Sequence, residues 1–143
     1  MQFGLSAPFR GPMANPEDLR AIAQAAERLG FGYMTVSDHI LCPRSIDAKY
    51  PYADDGEFPW TQGGGGDCME QFTLMAWLCA ATTTLRLLTS VVVIPHRNPL
   101  FMAKSIATMD VLSGGRVSIG CGTGWMREEF EALGIAPFEK RGQ

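Results

Sequence analysis

Apolar and polar positions alternate between two periods along the chain. Phe3 to Ala7 is a short apolar stretch followed by the turn-rich Pro8 to Ala14, the pattern of a strand running out into a loop. Asn15 can then cap a helix, Pro16 suits its first position, and Glu17 and Asp18 suit the positive end of its dipole. Leu19, Ile22, Ala23, Ala26 and Leu29 fall on one face of that helix, and Gly30 ends it. Tyr33 to Ser37 predicts a second strand, which stops at Asp38-His39. From Leu41 to Gly66 no period is visible. Pro43, Pro51, Pro59 and the run Gly63 to Gly66 predict a long, mobile, functional loop.

The pattern then resumes. Asp67 followed by Glu70 resembles a capping box, and Phe72, Met75, Leu78 and Cys79 carry a helical stripe toward Thr84. Leu85 to Ile94 is nearly continuous in apolar and β-branched residues, as expected of a strand buried on both faces of a parallel sheet. Asn98-Pro99 repeats the cap-and-proline start for a helix to about Leu112, which Gly114 and Gly115 break. Val117 to Gly120 predicts a fourth strand, and a fourth helix starts near Met126.

The order βαβαβαβα requires a parallel sheet with right-handed crossovers, either an open doubly wound sheet or a closed barrel. Four βα units are half of a (β/α)8 barrel, which typically takes about 250 residues. The expected fold is therefore α/β of the TIM-barrel type. Residues 1–143 would form the N-terminal part of one barrel domain, truncated after the fourth helix. Such a half would expose two strand edges and an unfilled interior, so a homo-oligomer or a partner supplying the rest of the barrel is expected.

Composition narrows the class. With 46% hydrophobic and 19% charged residues the chain can bury a core, and a net charge of -3 with scattered Lys and Arg gives no footprint for nucleic acid. No apolar run approaches the roughly 20 residues of a membrane span, and MQFGLSAPFR lacks the order of a signal peptide, so a cytoplasmic protein is expected. Cys42, Cys68, Cys79 and Cys121 are widely spaced, with no CxxC pair and no clustered His, so no metal site is expected.

Two passages carry candidate chemistry. In Ser37-Asp38-His39-Ile40 an Asp-His pair sits just past a barrel strand, at the end where such barrels build active sites. His39 can exchange a proton near neutral pH, or it can merely tie down the loop; His96 reads as a loop residue. In Ile119 to Trp125, IGCGTGW, glycines at 120, 122 and 124 lie between a strand and a helix, a turn that lets backbone N–H groups approach a ligand. A Rossmann fingerprint would need Gly where Trp125 stands, and a P-loop would need Gly-Lys-Ser/Thr. Motif I of S-adenosylmethionine-dependent methyltransferases is the closest rival, yet it usually has an acidic residue where Ser118 stands and needs more βα units afterwards.

Together, FGYMTVSDHI, the stretch from Leu85 to Trp125, and REEFEALGI resemble the luciferase-like monooxygenases, specifically their coenzyme F-420-dependent branch. The resemblance runs from the first strand to the fourth helix. It implies an oxidoreductase passing hydride equivalents between a deazaflavin, coenzyme F-420, or alternatively FMN, and a small organic substrate. It implies that Asp38 and His39 are a coenzyme-side pair, with His39 near the reactive ring carbon as proton donor or electrostatic partner. It further implies a bulge at Thr89-Ser90-Val91 with a non-prolyl cis peptide between Ser90 and Val91 against the ring, and further coenzyme contacts at Val93, Thr123 and Gly124. From the residues alone, Val93 is equally an ordinary core valine. Where some sugar-phosphate dehydrogenases of the family carry a glutamate after the glycine turn, this chain has Trp125, which cannot exchange a proton as a carboxylate does. The alternative of a different class is a non-catalytic half-barrel that kept the scaffold and lost turnover.

Overall fold

Asn15 and Asn98 do what their positions predict. Asn15 accepts the Asp18 N–H at 3.0 Å and opens α1 (Pro16–Arg28), and Asn98 accepts from Leu100 and Phe101 to open α3 (Pro99–Ser113). The computed structural model describes residues 1–43, 45–59, 67–135 and 137–142. The Gly63 to Gly66 run, and with it part of the expected loop, lies outside the described residues. The remaining elements are β1 (Gly4–Ser6), β2 (Tyr33–Val36), α2 (Gln71–Ala81), β3 (Arg86–Val93), β4 (Val117–Gly122) and a short α4 (Arg127–Ala132).

All strand pairs are parallel, in the order β1-β2-β3-β4. A doubly wound sheet reverses its strand order at a switch point, and this one does not; sequential order is that of a barrel wall. The crossovers place α1, α2 and α3 side by side on one face. The core lies between them and the sheet: Leu19 and Ala23 of α1, Met75 and Leu78 of α2, and Met102 and Met109 of α3 meet Met34, Val36 and Leu87. Among the described residues no helix is long and apolar enough to cross a membrane.

Three expectations need correction. β3 is buried on one face only: Ser6, Thr35, Leu88 and Ser118 stand in register on the other face and remain at least partly exposed, because no second layer covers that side among the described residues. The cap of α2 is Glu70, whose carboxylate accepts the Thr73 N–H at 2.7 Å, whereas Asp67 lies upstream beside the short bridge of Arg10 to Cys68. Leu29 is the C-cap of α1, past the last helical residue, and falls out of the stripe into solvent.

Two charged side chains hold the α2–β3 turn at the end of the sheet opposite the strand C-termini. The Arg116 guanidinium donates to the carbonyl oxygens of Cys79 (2.7 Å), Leu85 (2.9 Å) and Ser113 (2.8 Å), and to Thr82 Oγ1 (3.0 Å), so it satisfies the last carbonyls of two helices. From the other side, Glu27 accepts the N–H groups of Thr83, Thr84 and Leu85 and the Thr84 hydroxyl. Partial burial opposes ionisation of Glu27, but the hydrogen bonds from Thr84, Leu85 and Thr83 outweigh it and hold its pKa at about 2.

Glu27→Ala is expected to destabilise by about 1–2 kcal/mol and Arg116→Ala by about 2–3 kcal/mol, each lowering Tm by several degrees at neutral pH. A carboxylate with a depressed folded-state pKa stabilises fully above its ordinary value of 4.5 and loses that contribution as pH falls toward about 2. The Tm gap between wild type and Glu27→Ala should therefore close over that window, which thermal melts at stepped pH will show, while the Arg116→Ala gap should not follow it.

Candidate functional site

Parallel strands in sequential order bring their C-terminal ends to one rim, and there the structure has a cavity of about 540 Å³. Asp38 and His39 reach it from the end of β2, Ser90, Val91 and Val93 from β3, and Thr123 and Gly124 from the turn after β4. All seven residues expected at a site thus line a single space. Trp125 and Glu129 complete that side, and Tyr50, Tyr52 and Phe58 enter from the loop after β2.

Asp38 is wholly occupied within the protein. Its Oδ2 accepts the Val93 N–H at 2.8 Å and Arg97 Nη1 at 2.6 Å, its Oδ1 accepts Arg97 Nη2 at 2.7 Å, and its side chain is 0% exposed. The carboxylate therefore ties β2 to the start of α3, and only the Asp38 backbone faces the cavity. Arg97 also donates to Glu70 Oε1 at 2.8 Å and lies 4.6 Å over the Phe72 ring. Burial alone would raise the Glu70 pKa, yet the bonds from Arg97 and Thr73 hold it below the usual carboxylate value.

His39 faces the other way. Its Nδ1 lies 2.9 Å from Glu129 Oε2, and both residues are buried. Glu129 Oε1 accepts the N–H groups of Ile40 (2.9 Å) and Leu41 (3.4 Å). A carboxylate in that position accepts a hydrogen bond from Nδ1–H, which sets the direction of the ring. Sequence reasoning missed Glu129 and Arg97, which lie 90 and 59 residues from their partners. The available signal for Glu129 was its place in REEF, one helical turn beyond the glycine turn. His96, expected in a loop, is buried in a single 3-10 turn with its ring 4.9 Å from Phe130. Burial lowers its pKa below 6.5, more than nearby Glu129 and Asp38 raise it.

β3 carries the irregularity expected of it: the Ser90–Val91 peptide is cis, and the pairing with β4 shifts register between Thr89 and Val92. The glycines of β4 answer to that bulge. A Cβ on Gly120 would stand 2.6 Å from the Thr89 carbonyl oxygen, and one on Gly122 would stand 2.5 Å from Val91 Cγ2. Gly124 has φ +80, and a Cβ there would meet Phe130 and Val93 below 3 Å. Thr89 Oγ1 bonds both the N–H and the C=O of Gly120 across the gap. Ser90, Thr123 and, at 42%, Val91 remain exposed, so the wall between the bulge and the turn is open toward the cavity.

The described part of the loop after β2 also lines the cavity. Asp47 and Ala48 donate their N–H groups to Glu128 Oε1 at 2.7 and 3.0 Å. Beyond that anchor, Tyr50 and Phe58 pack on Trp125 with ring centroids 5.1 and 5.0 Å away. Among the described residues no group of His, Cys, Asp and Glu side chains is placed to hold a metal ion.

The family model for luciferase-like monooxygenases matches residues 1–143. The uncharacterized protein Rv0940c of Mycobacterium tuberculosis is 40% identical over 122 residues, covering 85% of this chain and 41% of the relative. Pyrimidine monooxygenase RutA of Shigella flexneri is 38% identical over 118 residues, covering 82% and 27%. The chain thus spans about two fifths or less of the length of these relatives. Among solved structures, monooxygenase RslO1 from Streptomyces bottropensis superposes with a TM-score of 0.68 at 25% identity, covering 99% of this chain and 39% of that one. The coenzyme F-420-dependent tetrahydromethanopterin reductase of Methanopyrus kandleri gives 0.61 at 23% identity, covering 93% and 30%. The oxygenating constituent of 3,6-diketocamphane monooxygenase of Pseudomonas putida, in complex with FMN, gives 0.66 at 18% identity, covering 99% and 36%. The last two show the shared fold.

Removing Arg97 would strand the buried Asp38 carboxylate, so Arg97→Ala is expected to cost about 3–5 kcal/mol, with Arg97→Lys recovering less than half because it cannot bond both oxygens. Gly120→Ala should cost about 1–3 kcal/mol through its collision with the Thr89 carbonyl. Urea denaturation of the three variants measures each loss directly.

Proposed function

Because the chain belongs to the luciferase-like monooxygenase family, we propose that residues 1–143 form the N-terminal part of one (β/α)8 barrel whose rim binds a flat redox coenzyme and a small organic substrate. The coenzyme is taken to be coenzyme F-420, with FMN as the second assignment. One observation carries this reading: His39, the Ser90–Val91 bulge and the Thr123-Gly124 turn line one cavity.

The residues present fit a planar ring. Ser90, Val91 and Thr123 are the exposed residues of the wall, and the glycines at 122 and 124 leave no side chain to project over it. Val91 and Val93 would back the ring, and Thr123 and Gly124 would meet its edge and side chain. Held there in reduced form, the coenzyme would supply a hydride, two electrons and one proton together. His39 would hold a proton at Nε2 for the substrate atom beside the one reduced, so that hydride and proton together add two electrons and two protons. Glu129 holds the imidazole in one orientation and offsets the charge of its protonated form, a positioning role. Asp38 acts at one remove: by gripping Arg97 and the Val93 N–H it fixes where β2 ends relative to β3.

Titrating the protein with reduced and oxidised coenzyme F-420 and with FMN, followed by absorbance and fluorescence, tests the reading. Saturable binding of at least one is expected, and a folded sample that perturbs neither spectrum overturns it in favour of a non-catalytic half-barrel. In the enzyme turning over a reducible substrate, His39→Ala should lower kcat by about 10²–10⁴-fold while changing coenzyme Kd less than tenfold. Unchanged kcat would remove His39 from the mechanism.

A further inference from the structure

Among the described residues that line the cavity, Tyr50, Tyr52, Phe58 and Trp125 pack into one aromatic cluster. Tyr50, Phe58 and Trp125 form a closed triangle with centroid separations of 5.0 to 5.1 Å, Tyr52 adds a fourth ring 5.4 Å from Tyr50, and Phe58 stands 5.5 Å from the His39 imidazole. These rings come from two distant parts of the chain, the loop after β2 and the residue directly after Gly124. They meet because Glu128 binds the loop at Asp47 and Ala48 while the next residue, Glu129, binds it at Ile40 and Leu41. Four backbone N–H groups therefore hold the loop against α4 from two consecutive carboxylates.

The chemistry of this wall is selective. Among the described residues the two acids that line the cavity are engaged internally, Asp38 by Arg97 and Glu129 by His39 and the loop, so neither carboxylate is offered to the hydroxyls of a polyol. The described rings offer π-surface in edge-on and tilted arrangements, which receives flat, unsaturated rings better than puckered saturated ones.

We propose that Trp125, Tyr50 and Phe58 form the substrate-recognition wall, and that they select a planar aromatic or conjugated organic molecule with its reacting atom toward His39. The inference rests on the assignment of the opposite wall to a coenzyme. It adds the class of substrate and makes Trp125 the specificity-determining residue.

Calorimetric titration of the full protein with 2-naphthol and with its saturated counterpart, decahydro-2-naphthol, tests it. The aromatic probe should bind about tenfold more tightly than the saturated one. Trp125→Leu and Tyr50→Leu should each weaken 2-naphthol about tenfold, and Trp125→Phe should keep its affinity within about threefold, with circular dichroism confirming that each variant is folded. Glu128→Gln, which keeps an acceptor, should change it little, whereas Glu128→Ala should weaken it by loosening the loop. Equal affinity for the two probes overturns the proposal. So does a Trp125→Leu variant that loses coenzyme F-420 or FMN but keeps 2-naphthol, since the wall would then belong to the coenzyme. Failure to bind either coenzyme with 2-naphthol selectivity intact counts against the coenzyme assignment alone.

Discussion

Asp38 and His39 are consecutive, and their side chains leave the end of β2 toward different neighbours: Asp38 to Arg97 at the start of α3, His39 to Glu129 on α4. One dipeptide thus clasps three successive βα units at the height of the cavity. Buried pairs of this kind add little net stability compared with apolar packing, but losing one partner leaves a charge without solvent or counter-ion and is expensive. The energetic effect is one of placement. Any arrangement that separates β2 from α3 or from α4 exposes the interior to an uncompensated carboxylate, so the rim has one geometry and the imidazole has one orientation.

The opposite end of the sheet is held by different means. Arg116 and Glu27 bind backbone groups of the α2–β3 turn, and Glu27 is open enough to solvent that its contribution is modest. The two ends therefore differ in emphasis: bonds below go mostly to backbone and fix the chain path, whereas above, besides backbone bonds, the buried pairs Asp38–Arg97 and His39–Glu129 fix the direction of particular side chains. Barrels commonly separate stability from chemistry this way, because loops at the strand C-termini can change without disturbing the turns below. The loop after β2 lies at that end, and Glu128 and the buried Glu129 attach it through its backbone N–H groups.

The parts legible in the sequence are those written locally. Asn15-Pro16 and Asn98-Pro99 each combine a side-chain acceptor with a fixed φ within two residues, and both mark helix starts. Failures at the same scale are also instructive. Asp67-x-x-Glu70 has the spacing of a capping box, yet Glu70 itself is the cap, because the bridge of Arg10 to Cys68 keeps the chain extended up to that point. The candidate residues were legible because resemblance supplied them, and they line one cavity. Their partners were not. Nothing near Asp38 in sequence announces Arg97, and an isolated histidine gives no sign of a carboxylate 90 residues on. Pairing across a sheet is a property of topology, and topology enters only when the strand order is known.

The glycine turn shows the same dependence from the side of sterics. Gly120, Gly122 and Gly124 have a spacing that several nucleotide-binding families share, each for backbone approach to a ligand. Here all three are accounted for before any ligand is considered: Gly120 by the Thr89 carbonyl and Gly122 by the Val91 side chain, both on the bulged strand next door, and Gly124 by its positive φ and by Phe130 and Val93. The bulge leaves Ser90 and Val91 exposed, the missing Cβ atoms let β4 lie close beside them, and both line the cavity that the aromatic cluster also lines. A motif read as a ligand cradle is in the first instance a mate for a neighbouring strand. The space it helps to create follows from that fit, and so the spacing alone is a weaker guide to the bound molecule than the residues across the cavity.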